Sequence, residues 1–338
     1  MSTTFGPIAL SSMWAQRFPD PDDLRPFFQA GRAIGFERFE LSHTHSAAAL
    51  ATIPPDVVIA SVHHPCPNDG PLALRPGEDA TAPDPAARAR WRDALRRTIG
   101  TAKRLGAAAV CAHLGTAHDE AVRKLWFELH SRYQAGQTDR PRYAEALGEL
   151  RARLDQVEPA AIARAVEVLS DVVGDLRSAG VALGIETGYH AWELPTARGM
   201  TALLDGVEAT VPGAVVGPDA LIGAWLDTGH VGAQVNVGTA SFEGWFEAVA
   251  AVAAPPGAGR GRAERGGRWV GVHWHDVVGV RDHLAVGDGV IPLARLVQRL
   301  TDTAAVGDPS AGPMSTMEID WYFTPQELRR AAQILSRR

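Results

Sequence analysis

Residues 162–186 read IARAVEVLSDVVGDLRSAGVALGIE. Ile162, Val166, Leu169, Val173 and Leu176 are spaced by four, three, four and three, which puts them on one face of an α-helix. Gly180 ends that helix, because glycine takes the left-handed conformation of a C-cap at little cost. A short apolar run, 181–186, follows at once and finishes on Glu186. Helices and strands that alternate in this way build a parallel sheet.

The alternation runs the length of the chain. Strand-like runs occupy 7–10, 36–41, 57–62, 108–113, 181–186, 221–227, 269–273 and 315–319. Between them Ser241 is placed to cap a helix that buries Trp245, Phe246, Val249 and Val252, and Pro292 opens one that buries Leu296, Val297 and Leu300. Thr324-Pro325-Gln326-Glu327 reads as a capping box with proline at the first helical position. Eight such units either close into a barrel or stay open as a doubly wound sheet. The open alternative needs a glycine-rich turn after its first strand, and the sequence there is SSMWAQRFPD, without GxGxxG. GxxxxGK[ST] is also absent. The expectation is an α/β protein, a (β/α)8 TIM barrel.

Length and composition agree with this. At roughly 150 residues per domain the 338 residues allow two domains, but one barrel with insertions spans about 200 to more than 400. We therefore expect residues 1–338 to form a single barrel domain, with long insertions in the βα loops after strands 3 and 4. The first insertion is HHPCPNDGPLALRPGEDATAPDP; the second is a charged helical segment from about 119 to 157 that carries Trp126, Phe127, Tyr133 and Tyr143. Both follow strands and so cover the catalytic face, as a lid or as a homo-oligomer contact. PPGAGRGRAERGGR, 255–268, precedes strand 7 and lies on the opposite face, where it reads as a solvated loop; VGDPSAG, 306–312, is its counterpart before strand 8.

The 46% hydrophobic content is enough for a core and too high for a disordered chain. No stretch reaches the roughly 18 apolar residues of a membrane span, and MSTTFGPIAL lacks the basic segment of a signal peptide, so a cytoplasmic protein without membrane association is expected. Cys66 and Cys111 cannot make a disulfide framework, and both read as packing. A net charge of −6 speaks against nucleic acid as a partner. Chemistry on a small molecule remains.

Seven of the eight strand runs finish with a side chain able to hold a metal: Glu40, His63, His113, Glu186, Asp227, His273 and Glu318. A barrel gathers its C-terminal strand ends on one face. From Glu186 to Asp227 is 41 residues, from there to His273 is 46, and from there to Glu318 is 45, each about one strand–helix unit. A single carboxylate at a strand end usually caps a helix or faces water; three of them with an imidazole on neighbouring strands make a divalent cation site. Hard oxygen donors favour Mn²⁺, Mg²⁺ or Co²⁺, and Zn²⁺ also suits the set. Without an ion the three buried carboxylates would repel one another and move toward protonation. Among lesser candidates, His190 and Trp192 form a wall of the substrate pocket, His64 is a loop histidine, His43 and His45 follow Glu40 toward the pocket, and His275-Asp276 is a pair that could orient His273.

The strings GIETGYH, LDTGH, VHWHD with HLAVGDG, and MEID, together with SVHHP and AHLG, resemble the strand ends of the xylose isomerase-like, endonuclease IV-like barrels, which include many sugar phosphate isomerases and epimerases. The resemblance covers nearly the whole chain. It implies that Glu186, Asp227, His273 and Glu318 bind one divalent metal, and that His230 and His283 lie where substrate or further metals are held. In the nucleases of this group His63 and His113 would bind a second metal and His230 and His283 a third. Those nucleases carry Asp-Arg-His before the glycine turn, whereas this chain has Arg281-Asp282-His283.

The implied reaction is isomerisation or epimerisation of a carbohydrate, a sugar or sugar phosphate. The metal chelates two adjacent oxygens and stabilises an enediolate, and Glu186 and Glu318 act as base and acid. Arg281, His230 and His283 bind hydroxyl or phosphate groups. The alternatives are a metal-dependent phosphodiesterase and a lyase or dehydratase using the same chemistry.

Overall fold

Eight strands form the centre of the protein: β1 (Gly6–Ser11), β2 (Arg38–Leu41), β3 (Val58–His63), β4 (Ala109–Ala112), β5 (Ala182–Glu186), β6 (Ile222–Asp227), β7 (Trp269–Trp274) and β8 (Met314–Met317). The computed structural model describes residues 2–3, 6–70, 73–217, 219–252, 267–304 and 312–337. Each strand pairs in parallel with the next, and β8 pairs in parallel with β1, so the sheet closes on itself. All eight expected runs are strands, and the fold is the expected (β/α)8 TIM barrel. The last strand stops at Met317, which leaves Glu318 just beyond the sheet.

The period-2 alternation of a strand explains the two surfaces of the barrel. Leu183 and Ile185 of β5, Leu226 of β6 and Val272 of β7 face outward into the main apolar core, where the helices cover them. Ala109, Cys111, Trp225 and Val270 form a separate cluster inside the barrel. Trp225 is the large member, and Gly184 and Gly271 make room for it, since a Cβ on either would collide with its indole. His273 of the metal-capable set lies against this indole, with ring centroids 5.0 Å apart.

Besides a short helix at Ala47–Ala51, the described α-helices are α1 (Arg25–Ile34), α2 (Pro85–Leu105), α3 (Glu120–Gln134), α4 (Pro141–Ala179), α5 (Ala197–Thr210), α6 (Thr228–Val237), α7 (Phe242–Ala250), α8 (Leu293–Ala304) and α9 (Pro325–Ser336). Ser241 caps α7, and Thr324 with Glu327 makes the capping box of α9. The insertion after β4 differs from expectation. It is two helices rather than one segment, broken around Gly136, and the second runs through Pro159 into the barrel helix as one 39-residue element. At about 1.5 Å per residue that helix is roughly 58 Å long. Proline removes one helical hydrogen bond. Packing on both sides offsets the loss: Leu154, Ala161 and Ile162 are buried, and the Glu158 carboxylate accepts hydrogen bonds from Thr196 N at 2.7 Å and Thr196 Oγ1 at 2.8 Å.

The first half of α4 and α3 form a cap with its own core of Val122, Trp126, Leu129, Tyr143, Ala146 and Leu150, which also contacts Ala191 and Leu194 in the loop after β5. Glu128 joins the two helices through Arg132 and Arg142. Apart from their last residues, the loops expected at 255–268 and 306–312 lie outside the described residues. Among the described residues no helix is long and apolar enough to cross a membrane.

Candidate metal centre

The C-terminal end of each strand points its last inward residue at the barrel mouth, so positions far apart in sequence meet there. Donor atoms of Glu186, Asp227, His273 and Glu318 all lie within 4.8 Å of one another, and all four residues are buried. His273 is central. Its Nδ1 is 2.8 Å from Glu186 Oε1, 2.7 Å from Glu318 Oε2 and 3.6 Å from Asp227 Oδ2. The four expected ligands therefore converge, with three hard oxygens and one imidazole nitrogen around a common point, a donor set that fits a divalent cation.

His273 and Asp227 are held from behind. His273 Nε2 donates to Glu40 Oε1 at 3.0 Å, and Ser61 Oγ donates to Glu40 Oε2 at 2.7 Å. This fixes which ring nitrogen faces the centre. Asp227 accepts from the backbone N–H of His230 at 2.7 Å and lies 2.7 Å from His275 Nε2, while its own N–H donates to Thr187 Oγ1 at 2.9 Å. His275 was expected to orient His273; it holds Asp227 instead, because its strand has ended and its side chain turns toward β6. Asp276 contacts neither, and its carboxylate accepts the backbone N–H groups of Val277, Gly287 and Ile291, which shapes the loop after β7.

Burial alone would keep these carboxyls neutral. The imidazoles of His113, His273 and His63 outweigh burial at Glu186 and hold it well below the usual carboxylate range. At Asp227, His230 and His275 likewise overcome burial, and His273 brings Glu318 to about 2 against its burial. The reciprocal effect of Glu318, Glu40 and Glu186 raises His273 well above an ordinary histidine despite burial. Positive charge at this point is thus strongly favoured.

A second group adjoins the first. His63 Nε2 lies 3.0 Å and His113 Nε2 3.2 Å from Glu186 Oε2, so these three make a further cluster able to hold a metal. His63 is buried and His113 is 43% exposed, so His113 is the one that an entering molecule meets. On the other side, His230 Nε2 is 3.6 Å from Asp282 Oδ2, and the His283 ring stacks on His275 at 4.3 Å and lies 5.6 Å from the His230 ring.

Several candidates sit farther out. His190 stacks on Trp192 at 4.0 Å and meets Glu193 at 2.7 Å, at the junction with Trp126 of the cap. Arg281 does not join the cluster: it is exposed and donates to Tyr322 OH at 2.8 Å. His64 is buried against Trp91 and Thr98 and faces away from the centre, as a structural residue does. His45 turns to Ser12 Oγ, whereas His43 lies 4.9 Å from the His63 ring with its Nδ1 buried and unpartnered. Cys111 points into the barrel, 3.4 Å below Glu186 Oε2, and Cys66 is fully buried.

Sequence reading did not identify Glu193, Asp282 or the role of Glu40. Glu40 carried a signal, a carboxylate ending a strand, but which imidazole it meets depends on how the barrel closes. Glu193 binds the backbone N–H groups of Tyr189 and His190 and is brought to about 2, where His190 and His113 overcome its burial.

No family model and no curated protein matches the chain. Solved structures do. The chain is similar to an L-ribulose 3-epimerase (19% identity, 98% of this chain and 86% of that one, TM-score 0.57). It is similar to a D-psicose 3-epimerase from Clostridium cellulolyticum H10, solved with D-tagatose (13% identity, 97% and 98%, TM-score 0.57). The IOLI protein, solved with a bound zinc atom, is another (12% identity, 97% and 96%, TM-score 0.60). These likenesses establish the shared barrel.

Proposed function

We propose that this protein is a divalent-metal-dependent isomerase or epimerase acting on a carbohydrate, with Glu186, Asp227, His273 and Glu318 as metal ligands. The observation that carries the reading is the convergence of these four buried donors at the mouth of a barrel shared with ketose 3-epimerases. A bound divalent ion would hold two adjacent substrate oxygens and offset the negative charge that develops between them. Mn²⁺, Mg²⁺ and Co²⁺ suit the three carboxylates, and Zn²⁺, present in the IOLI structure, suits the imidazole-containing set.

The residues of the chain supply the proton chemistry. One carboxylate of the pair Glu186 and Glu318 removes the proton from the carbon beside the substrate carbonyl, and the other delivers a proton to the opposite face of that carbon. Delivery to the neighbouring carbon instead gives an isomer. Glu40 keeps the His273 ring oriented, and His230 and His283 contact substrate hydroxyls. His190 and Trp192 close one wall with the cap, which keeps water from the reacting carbon. Exchange of the substrate's carbon-bound hydrogen with solvent deuterium, followed by NMR in wild type and in Glu186→Gln and Glu318→Gln, tests this: exchange lost in both variants supports it, and full exchange in both refutes it.

A second reading rests on His63 and His113, which meet Glu186 as a second metal group. This group together with the four-residue group would hold two ions, which would suit hydrolysis of a phosphodiester. Two tightly bound ions per chain together with phosphodiesterase activity would favour that reading.

A further inference from the structure

Cys111 brings a sulfur atom to the metal group from inside the barrel. It is fully buried on β4, in the interior cluster with Ala109, Trp225 and Val270. Its partner across the sheet on β5 is Gly184, which carries no side chain, and the Cys111 thiol reaches past it to donate to Glu186 Oε2 across 3.4 Å. A cysteine that only filled space would have no bond to a metal-capable carboxylate.

Donor atoms of Cys111, Glu186 and His273 all lie within 4.8 Å of one another, and all three residues are buried. Two donors that share one tetrahedral ion, with bonds of about 2.3 Å to sulfur and about 2.0 Å to oxygen, stand about 3.5 Å apart. The 3.4 Å between Cys111 Sγ and Glu186 Oε2 matches that spacing. An ion bonded to both therefore needs little movement of either side chain.

This group overlaps the four-residue one without coinciding with it. Glu186 and His273 belong to both, whereas Asp227 and Glu318 belong to the four-residue group and Cys111 to the other. The His273 Nε2 is engaged by Glu40, so Nδ1 is the nitrogen offered to an ion in either place. An ion in one position thus excludes an ion in the other. The donor sets also differ in kind. Three carboxylates with an imidazole suit hard cations, while a thiolate with one carboxylate and an imidazole favours thiophilic ones, which bond sulfur more strongly than Mn²⁺ or Mg²⁺ does.

We propose, resting on the metal-ligand assignment above, that the centre holds two overlapping ion positions. A hard divalent cation takes the outer one, among Glu186, Asp227, His273 and Glu318. A thiophilic cation such as Cd²⁺ takes the inner one, on Cys111, Glu186 and His273, and displaces the hard ion. The bond from Sγ to the metal forms as the thiol proton passes to water, so each ion bound there releases one proton. Capture in this way removes the ion from the position served by Asp227 and Glu318.

The test titrates Mn²⁺-loaded full-length protein with Cd²⁺. Ultraviolet absorption follows the sulfur-to-cadmium charge-transfer band, and electron paramagnetic resonance follows the Mn²⁺ set free. The expected result is a band that saturates at one Cd²⁺ per chain, in step with complete release of Mn²⁺. Cys111→Ser, whose hydroxyl can still donate to Glu186, should lose the band and bind Cd²⁺ about tenfold or more weakly, with Mn²⁺ affinity changed much less. Cys66→Ser should keep the band. Cd²⁺ bound without the band, or a band that survives Cys111→Ser and vanishes in Cys66→Ser, overturns this proposal and leaves the metal-ligand assignment standing. A band with Mn²⁺ retained overturns the overlap of the two positions. A wild type that binds neither ion overturns the assignment and this proposal together. The band and the Mn²⁺ release are read on wild type, so they decide the matter even if Cys111→Ser does not fold.

Discussion

Glu40 Oε1 accepts a hydrogen bond from His273 Nε2 across 3.0 Å, although 233 residues separate the two in sequence. The pair lies inside the barrel, β2 facing β7, and it leaves His273 Nδ1 aimed at Glu186 and Glu318. A carboxylate behind an imidazole fixes its tautomer and raises its basicity toward a metal. Glu40→Gln should therefore weaken Mn²⁺ binding by about 10- to 100-fold while the far-UV circular dichroism is unchanged. Unaltered affinity by metal titration would remove Glu40 from the account.

Glu186→Gln and Glu318→Gln test the proton-transfer roles. Each should lower kcat by about 10²- to 10⁴-fold, the usual worth of a positioned acid or base. Thermal stability of the metal-free protein should fall, because each change takes from His273 Nδ1 a carboxylate partner and leaves the imidazole less compensated. Calorimetry beside the kinetics separates a lost catalytic group from a lost fold.

Trp225 is the plug on which the site rests. Trp225→Ala should cost about 3–5 kcal/mol in urea unfolding, as large core truncations do. Gly184→Ala and Gly271→Ala press a methyl group into the same indole and should each cost about 1–3 kcal/mol. If all three variants unfold like wild type, the interior layer below the site is packed differently.

The cap should show acid sensitivity through Glu128. Hydrogen bonding from Arg142 holds its carboxyl at about 2, below the ordinary carboxylate range. A carboxylate depressed on folding stabilises the native state above its unfolded pKa, and the gain is lost as pH falls from about 4.5 toward 2. Its partial exposure keeps that gain within about 1 kcal/mol. The melting temperatures of wild type and Glu128→Gln should differ at pH 6 and converge near pH 2.5; a gap that stays constant with pH would contradict this origin.

Much of this architecture was legible before any coordinates. The strands were visible because buried parallel strands are short apolar runs between helical spacings, and the gathering of Glu186, Asp227, His273 and Glu318 was visible because barrel geometry brings strand ends together. Residues such as Glu186 and Glu318 were therefore assignable by position alone. The partners behind them were not: that Glu40 meets His273, and that His275 meets Asp227, depends on closure and on where each strand ends. Arg281 looked available because its neighbours His283 and Asp282 face the centre, yet the left-handed backbone of His283 (φ 53°) breaks the regular alternation there, and Arg281 is exposed and turns to Tyr322. A charged segment ending near 157 and a helix face beginning at Ile162 likewise read as separate, and only the burial of Leu154, Ala161 and Ile162 around Pro159 shows why one helix runs through both.

The central claim is that four side chains from four strands hold one divalent ion. Metal-free protein titrated with Mn²⁺, with bound metal counted by elemental analysis and the melting temperature recorded, tests it most directly. A bound ion stabilises by about 2.7 kcal/mol at a hundred times its dissociation constant. The account predicts a tightly bound ion and a raised melting temperature in wild type, with both lost in Asp227→Asn and His273→Ala. A wild type that binds no ion, or variants that bind as well as wild type, would contradict it.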